Sequence, residues 1–193
     1  MTLNNAMMKR RIAPRALMGA ATIAAAVFLL TISAKVAIPF YPVPLTMQTF
    51  VIVGLGLTLG SSRALAAVLL YLAAGLLGLP VFAGTPQQGT GLAYMLGPTG
   101  GYLLGYVLAV VLGGWLASQQ WDRSAVHVMV AALLSGSVIY VPGLIWLGIV
   151  IGFDKPLLQL GLYPFIIGDI VKATLAAIVF PMAWKALESR AGC

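Results

Sequence analysis

From Ala16 to Ala34 the chain carries no charged side chain, and similar apolar runs recur along most of its 193 residues. A helix that is apolar all round needs either a large protein core or lipid as its solvent. With 61% hydrophobic and only 8% charged residues, the chain lacks the polar surface that would keep a soluble domain of this size dispersed. Because about 20 apolar residues cross roughly 30 Å of hydrocarbon, these runs predict an all-α integral membrane protein.

Six segments qualify as membrane crossings, over residues 15–37, 45–60, 64–79, 99–117, 125–152 and 160–187. The second is short, and LGSSR supplies the turn between it and the third. Together they predict a single six-helix membrane domain over residues 1–193, preceded by a basic segment, 1–14. The opening MTLNNAMMKRRIAPRALMG has the basic start of a signal peptide. The apolar run behind it is long enough to span and has no persuasive cleavage site, so it reads as a retained first helix. The connection PVFAGTPQQGTGLAYMLGP, rich in glycine and proline, reads as a loop in which 92–96 touches the membrane surface.

Orientation follows from the basic residues, since short basic loops stay in the cytoplasm. Lys9, Arg10, Arg11, Arg15, Arg63, Arg123, Lys185 and Arg190 fall on one side, and only Lys35 and Lys155 on the other. Both termini are therefore expected to be cytoplasmic. The FYPVPLTMQTF turn, the long uncharged loop and the IGFDKPLLQLGLYP connection then face outward, as do the N-termini of the second, fourth and sixth helices, which suit an anionic or carbonyl-bearing ligand.

Several chemistries are excluded. The one cysteine, Cys193, and the one histidine, His127, cannot build a metal cluster or a disulfide framework. The net charge of +7 is confined to chain ends and short loops, which fits membrane topology better than nucleic-acid binding. No GxxxxGK[ST] phosphate loop is present. Asp122, Asp154 and Glu188 fall in loops or at the end of the chain, so no second carboxylate accompanies Asp169 for acid–base catalysis, and an enzyme is not expected.

One pair stands out against this apolar background. In FIIGDIVKATLAAIVF, Asp169 and Lys172 lie at i and i+3 on one face of the sixth helix, roughly 9 and 14 Å below its outer end. Each costs about 2.5–3.5 kcal/mol at the centre of a membrane helix, so the pair faces a bundle interior, a cavity or a partner. A structural ion pair, a polar ligand pocket and an ion pathway all fit. Thr46, Gln48 and Thr49 at the start of the second helix, Tyr102 and Tyr106 on the fourth, and Gln87 and Gln88 in the long loop are candidate walls and lid. Two four-residue repeats of small side chains mark close helix packing: Gly101, Gly105, Ala109, Gly113 and Ala117 on the fourth helix, and Ala16, Ala20 and Ala24 on the first.

Four stretches in register, YPVPLTMQTF, GLLGLPVFAG, LGPTGGYLLGY and PFIIGDIVKA, make the sequence resemble the BioY family along nearly its whole length. These are the biotin-specific substrate-binding subunits of energy-coupling-factor (ECF) vitamin transporters. The resemblance implies a plasma-membrane protein that captures biotin from outside, with Asp169 and Lys172 matching the family's binding acid and base. It implies that Ala16, Ala20 and Ala24 dock onto a coupling transmembrane subunit, and that two cytoplasmic ATPase subunits use the ATP. Gln87 and Gln88 stand in AGTPQQGTG, where other members carry a glycine-rich loop. Homo-oligomerisation, and which end of biotin Lys172 holds, stay open. A self-sufficient facilitator, or a subunit for another small vitamin, is the alternative.

Overall fold

The computed structural model describes the backbone of residues 3–191 and the side chains of residues 17–183. Ten elements follow in order. Helix α1 (Leu3–Lys35) leads into a two-stranded antiparallel ribbon, β1 (Ala37–Ile38) and β2 (Leu45–Thr46), paired Ala37 to Thr46 and Ile38 to Leu45. Then come α2 (Gln48–Leu76), α3 (Gly91–Met95), α4 (Gly100–Ser118), α5 (Ala125–Val138), α6 (Tyr140–Ile151), α7 (Leu157–Gly161) and α8 (Tyr163–Ala191).

Helix α2 is two arms rather than one rod. Gly60 has φ +72° and ψ 168°, dihedrals that only glycine adopts readily. The side chains of Gln48 and Tyr71 are hydrogen-bonded at 2.7 Å, whereas a straight helix would hold them about 34 Å apart. The chain therefore reverses at Gly60, within LGSSR, and the second arm starts at once at Ser61. The first arm also begins later than the expected residue 45, since Leu45 and Thr46 pair with β1 instead. Pro42 and Pro44 lie just ahead of this point, and a residue before proline disfavours helical dihedrals.

The break between α5 and α6 has a similarly local cause. Pro142 has no N–H to donate to the carbonyl of Val138, so the ladder is interrupted although Ile139 keeps helical dihedrals of −60° and −35°. Residues Ala125–Ile151 consequently act as one long apolar span. Among the described residues five such spans are long and apolar enough to cross a membrane: Leu17–Lys35, Gln48–Leu76, Gly100–Ser118, Ala125–Ile151 and Leu157–Ala183. Their outward faces carry Phe28, Leu69, Leu70, Trp115, Ile145, Ile167 and Ile178, all exposed. That surface requires an apolar solvent and fits a multi-pass membrane protein.

The small residues of α4 allow its close contacts. A Cβ on Gly101 would meet the backbone carbonyl of Pro142 at 2.4 Å, and one on Gly105 would lie 2.7 Å from the Ile139 Cα. About two turns further, Gly56 approaches the backbone of Gly113 and Gly114. Two apolar clusters result. One joins α1, α2 and α4 through Leu30, Ile52, Tyr71, Leu103 and Val110; the other seams α5 to α8 through Ala131, Ala132, Ala173, Ala176 and Ala177.

Candidate ligand-binding site

Three connections converge at one end of the bundle. Lys35, ending α1, bonds to residues 82 and 85 of the long loop; Trp146 Nε1 donates to the Gly97 carbonyl at 3.0 Å; and the Tyr102 hydroxyl donates to the Gly161 carbonyl at 2.8 Å. Beneath them lies a central cavity of about 30 Å³, lined by Thr46, Gln48 and Thr49 of the α2 entrance, Tyr102 and Tyr106 of α4, Tyr140 of α6, Phe165 of α8 and Ala83 of the loop. Tyr102, Tyr140 and Phe165 form an aromatic cage with ring centroids 6.1–6.3 Å apart.

The charged pair stands behind this wall. Lys172 Nζ is 3.3 Å from Asp169 Oδ1, with the two side chains only 15% and 18% exposed. Two hydroxyls complete the set. Lys172 donates to Thr49 Oγ1 at 2.8 Å, and Thr49 donates on to Asp169 Oδ1 at 3.4 Å. The Tyr140 hydroxyl donates to Asp169 Oδ2. Each carboxylate oxygen thus has a partner, as a half-buried charge requires. Thr49 and Tyr140 also line the central cavity, so each presents one side to the cavity and the other to the pair.

Gln48 organises a second polar cluster at the same level. It is 2% exposed; its Nε2 donates to Tyr71 at 2.7 Å, and its Oε1 accepts from Tyr106 at 3.3 Å and Thr46 at 3.4 Å. Tyr71 passes the chain on by donating to the Val81 carbonyl at 3.1 Å. Donors and acceptors therefore run from the cavity wall to the loop without a gap.

The expected residues divide clearly in position. Gln48 and Tyr102 line the cavity, whereas Asp169 and Lys172 stand behind its wall and line a separate space of about 20 Å³ with Thr49, Phe50 and Ala132. Gln87 and Gln88 are exposed; Gln88 borders a cleft of about 500 Å³ above, with Tyr41, Pro42, Tyr94 and Thr99, whereas Gln87 borders neither space. Thr99 lines both cleft and cavity. Ala20 and Ala24 are exposed on α1, away from this site, and the side chain of Ala16 lies outside the described residues. Sequence reasoning missed Tyr140, Tyr71 and Lys35. Tyr140 left a faint signal, a hydroxyl inside the apolar run VIYVPGLIWLG.

The sequence and fold both have counterparts. A protein of Pyrococcus horikoshii named a probable biotin transporter BioY is 39% identical over 153 residues, covering 79% of this chain and 88% of its own. The Thermotoga maritima biotin transporter BioY is 31% identical over 151 residues, covering 78% and 86% respectively. A crystal structure of the S-component for biotin from an ECF-type ABC transporter superposes with a TM-score of 0.75 at 27% identity, over 96% of this chain and 95% of that one. Residues 6–189 match the family model of the BioY family, and the chain is a member of that family.

Proposed function

We propose that this chain is the biotin-binding membrane subunit of an ECF-type vitamin uptake transporter, not an enzyme. One observation carries the reading: a half-buried acid and base are held ready behind a cavity by two neutral hydroxyls that line that same cavity. Biotin offers ureido N–H donors, a ureido carbonyl, an apolar thioether ring and a carboxylate. Asp169 can accept from the N–H groups and Lys172 can donate to a carbonyl or carboxylate, through charge-assisted bonds stronger than neutral ones. The cage of Tyr102, Tyr140 and Phe165 suits the apolar ring. Gln48 in the cavity wall and Gln88 at the cleft complete the proposed ligand contacts, with Gln87 joining them when the loop moves over the ligand.

In this reading the arms of α2 are separate crossings, which brings the count to six in one membrane domain, with both termini cytoplasmic and the cavity opening outward in the plasma membrane. Ala16, Ala20 and Ala24 form the docking face for the coupling subunit, and two partner ATPases supply the energy. At about 30 Å³ the cavity is far below the roughly 300 Å³ at which ligand pockets begin, so capture involves movement of its walls. Equilibrium binding to the purified full chain, with desthiobiotin and thiamine as competitors, is the test. Selective binding of biotin without ATP is expected; absence of binding by the folded protein would sink the proposal.

A further inference from the structure

Lys35 sits where a membrane-boundary lysine would ordinarily extend its ammonium into water. Its stem is exposed in that way, but the head turns inward. Nζ donates to the Phe82 carbonyl at 2.8 Å, the Thr85 carbonyl at 2.9 Å and Thr85 Oγ1 at 2.9 Å. All three N–H donors of the ammonium are thereby taken by one short stretch of loop, and among the described residues it forms no ion pair. Thr85 Oγ1 donates in turn to the Phe82 carbonyl at 2.7 Å, closing the cluster.

The stretch so held contributes one residue to the wall of the central cavity. Ala83 lines it, and Phe82, Ala83 and Thr85 are all buried. Residues 81–85 belong to no helix or strand; their backbone bonds are local, from Val81 to Leu79 and from Thr85 to Phe82. Placement comes instead from side chains of other elements: Lys35 from α1, the Tyr71 hydroxyl from α2, and the rings of Tyr71 and Tyr94 against Phe82 at 5.4 and 5.0 Å. A wall fastened by a few side chains is easier to displace than one built into a helix. Lys35 is the fastening whose acceptors water can replace most readily, because its head lies at the edge of the fold and binds only neutral groups.

We infer that Lys35 is a positioning residue for ligand retention: it clamps residues 81–85 over the central cavity, so that breaking its bonds sets how fast a bound ligand escapes. This rests on the proposed biotin reading for the identity of the ligand, but not for the clamp itself. The experiment therefore has two arms, on the full-length protein in lipid nanodiscs, with Lys35→Met and Lys35→Arg. In the first, labelled biotin is chased with unlabelled biotin. Removing the donors in Lys35→Met is expected to speed dissociation about tenfold with little change in association, whereas Lys35→Arg, which keeps N–H donors, should stay within about threefold of wild type.

The second arm needs no ligand. Amide hydrogen exchange over 81–89 should quicken by about tenfold in Lys35→Met while α4 stays protected. Unchanged exchange there, or equal loosening of α2 and α4, overturns the clamp. Faster exchange without faster dissociation overturns the retention role. If wild type binds no biotin, the functional reading falls, and the exchange arm alone decides the clamp.

Discussion

Replacing Asp169 with asparagine separates a ligand-binding role from a purely structural one. The carboxylate takes Lys172 and Thr49 on Oδ1 and Tyr140 on Oδ2. An asparagine has one acceptor atom, so its oxygen turns to Lys172 and its NH₂ to the Tyr140 oxygen, which can accept. Hydrogen bonding largely survives, and the change is the loss of one negative charge beside an ammonium that is 15% exposed. Breaking a fully buried pair costs about 3–5 kcal/mol, and the residual exposure lowers the expectation here to about 2–3 kcal/mol. Binding should weaken by about 10- to 100-fold, the worth of one charge-assisted hydrogen bond. Denaturant unfolding in detergent and calorimetric titration with biotin measure the two effects separately. The double variant Asp169→Asn/Lys172→Met removes the stranded ammonium and should return stability to within about 1 kcal/mol of wild type without restoring binding. A folded Asp169→Asn that binds biotin as wild type does refutes the ligand role. One with undiminished stability refutes the dependence of Lys172 on this partner.

Tyr140→Phe removes one donor from Asp169 and should cost about 1.5–3 kcal/mol of stability, seen as a lower unfolding midpoint in the same detergent. Gly60→Ala should cost about 1–3 kcal/mol although open space surrounds Gly60, because the cost lies in the backbone; Gly60→Ser should lose as much in the same unfolding assay, and a smaller loss for either contradicts the hairpin geometry. Gly105→Ala drives a methyl to within 2.7 Å of the Ile139 backbone and should destabilise by about 1–3 kcal/mol, measured by thermal unfolding, whereas Gly136→Ala, with nothing near its Cβ, should be tolerated.

The fold was legible where its cause is local or periodic. Apolar length marked the spans, and the glycines at 101, 105 and 113 marked the face on which α4 meets its neighbours. Details set by single backbone groups were harder to read. LGSSR reads as the turn between two helices, but nothing in it says that one glycine at φ +72° makes the reversal alone and that the helix resumes at Ser61. The interruption at Ile139 depends on one missing N–H, that of Pro142, within a run whose hydropathy never falters. Hydropathy averages over many residues and carries no record of either event.

The site shows the same division on the scale of charges. Asp169 and Lys172 are conspicuous in sequence because an ionised group in an apolar helix demands an explanation. The groups that answer the demand are neutral, and neutral hydroxyls in membrane helices usually bond to their own backbone, as Thr22, Thr31 and Thr174 do here. Thr49 and Tyr140 differ from these only in what the tertiary fold places opposite them, residues 120 and 29 positions along the chain. Lys35 reverses the problem: its charge is plain, but two of its three partners are main-chain carbonyls, which every residue possesses and no sequence pattern distinguishes. A charge in such a chain announces that a partner exists. Which partner it has is decided by the reversal at Gly60, the close approach of α4 and the path of the loop across the end of α1.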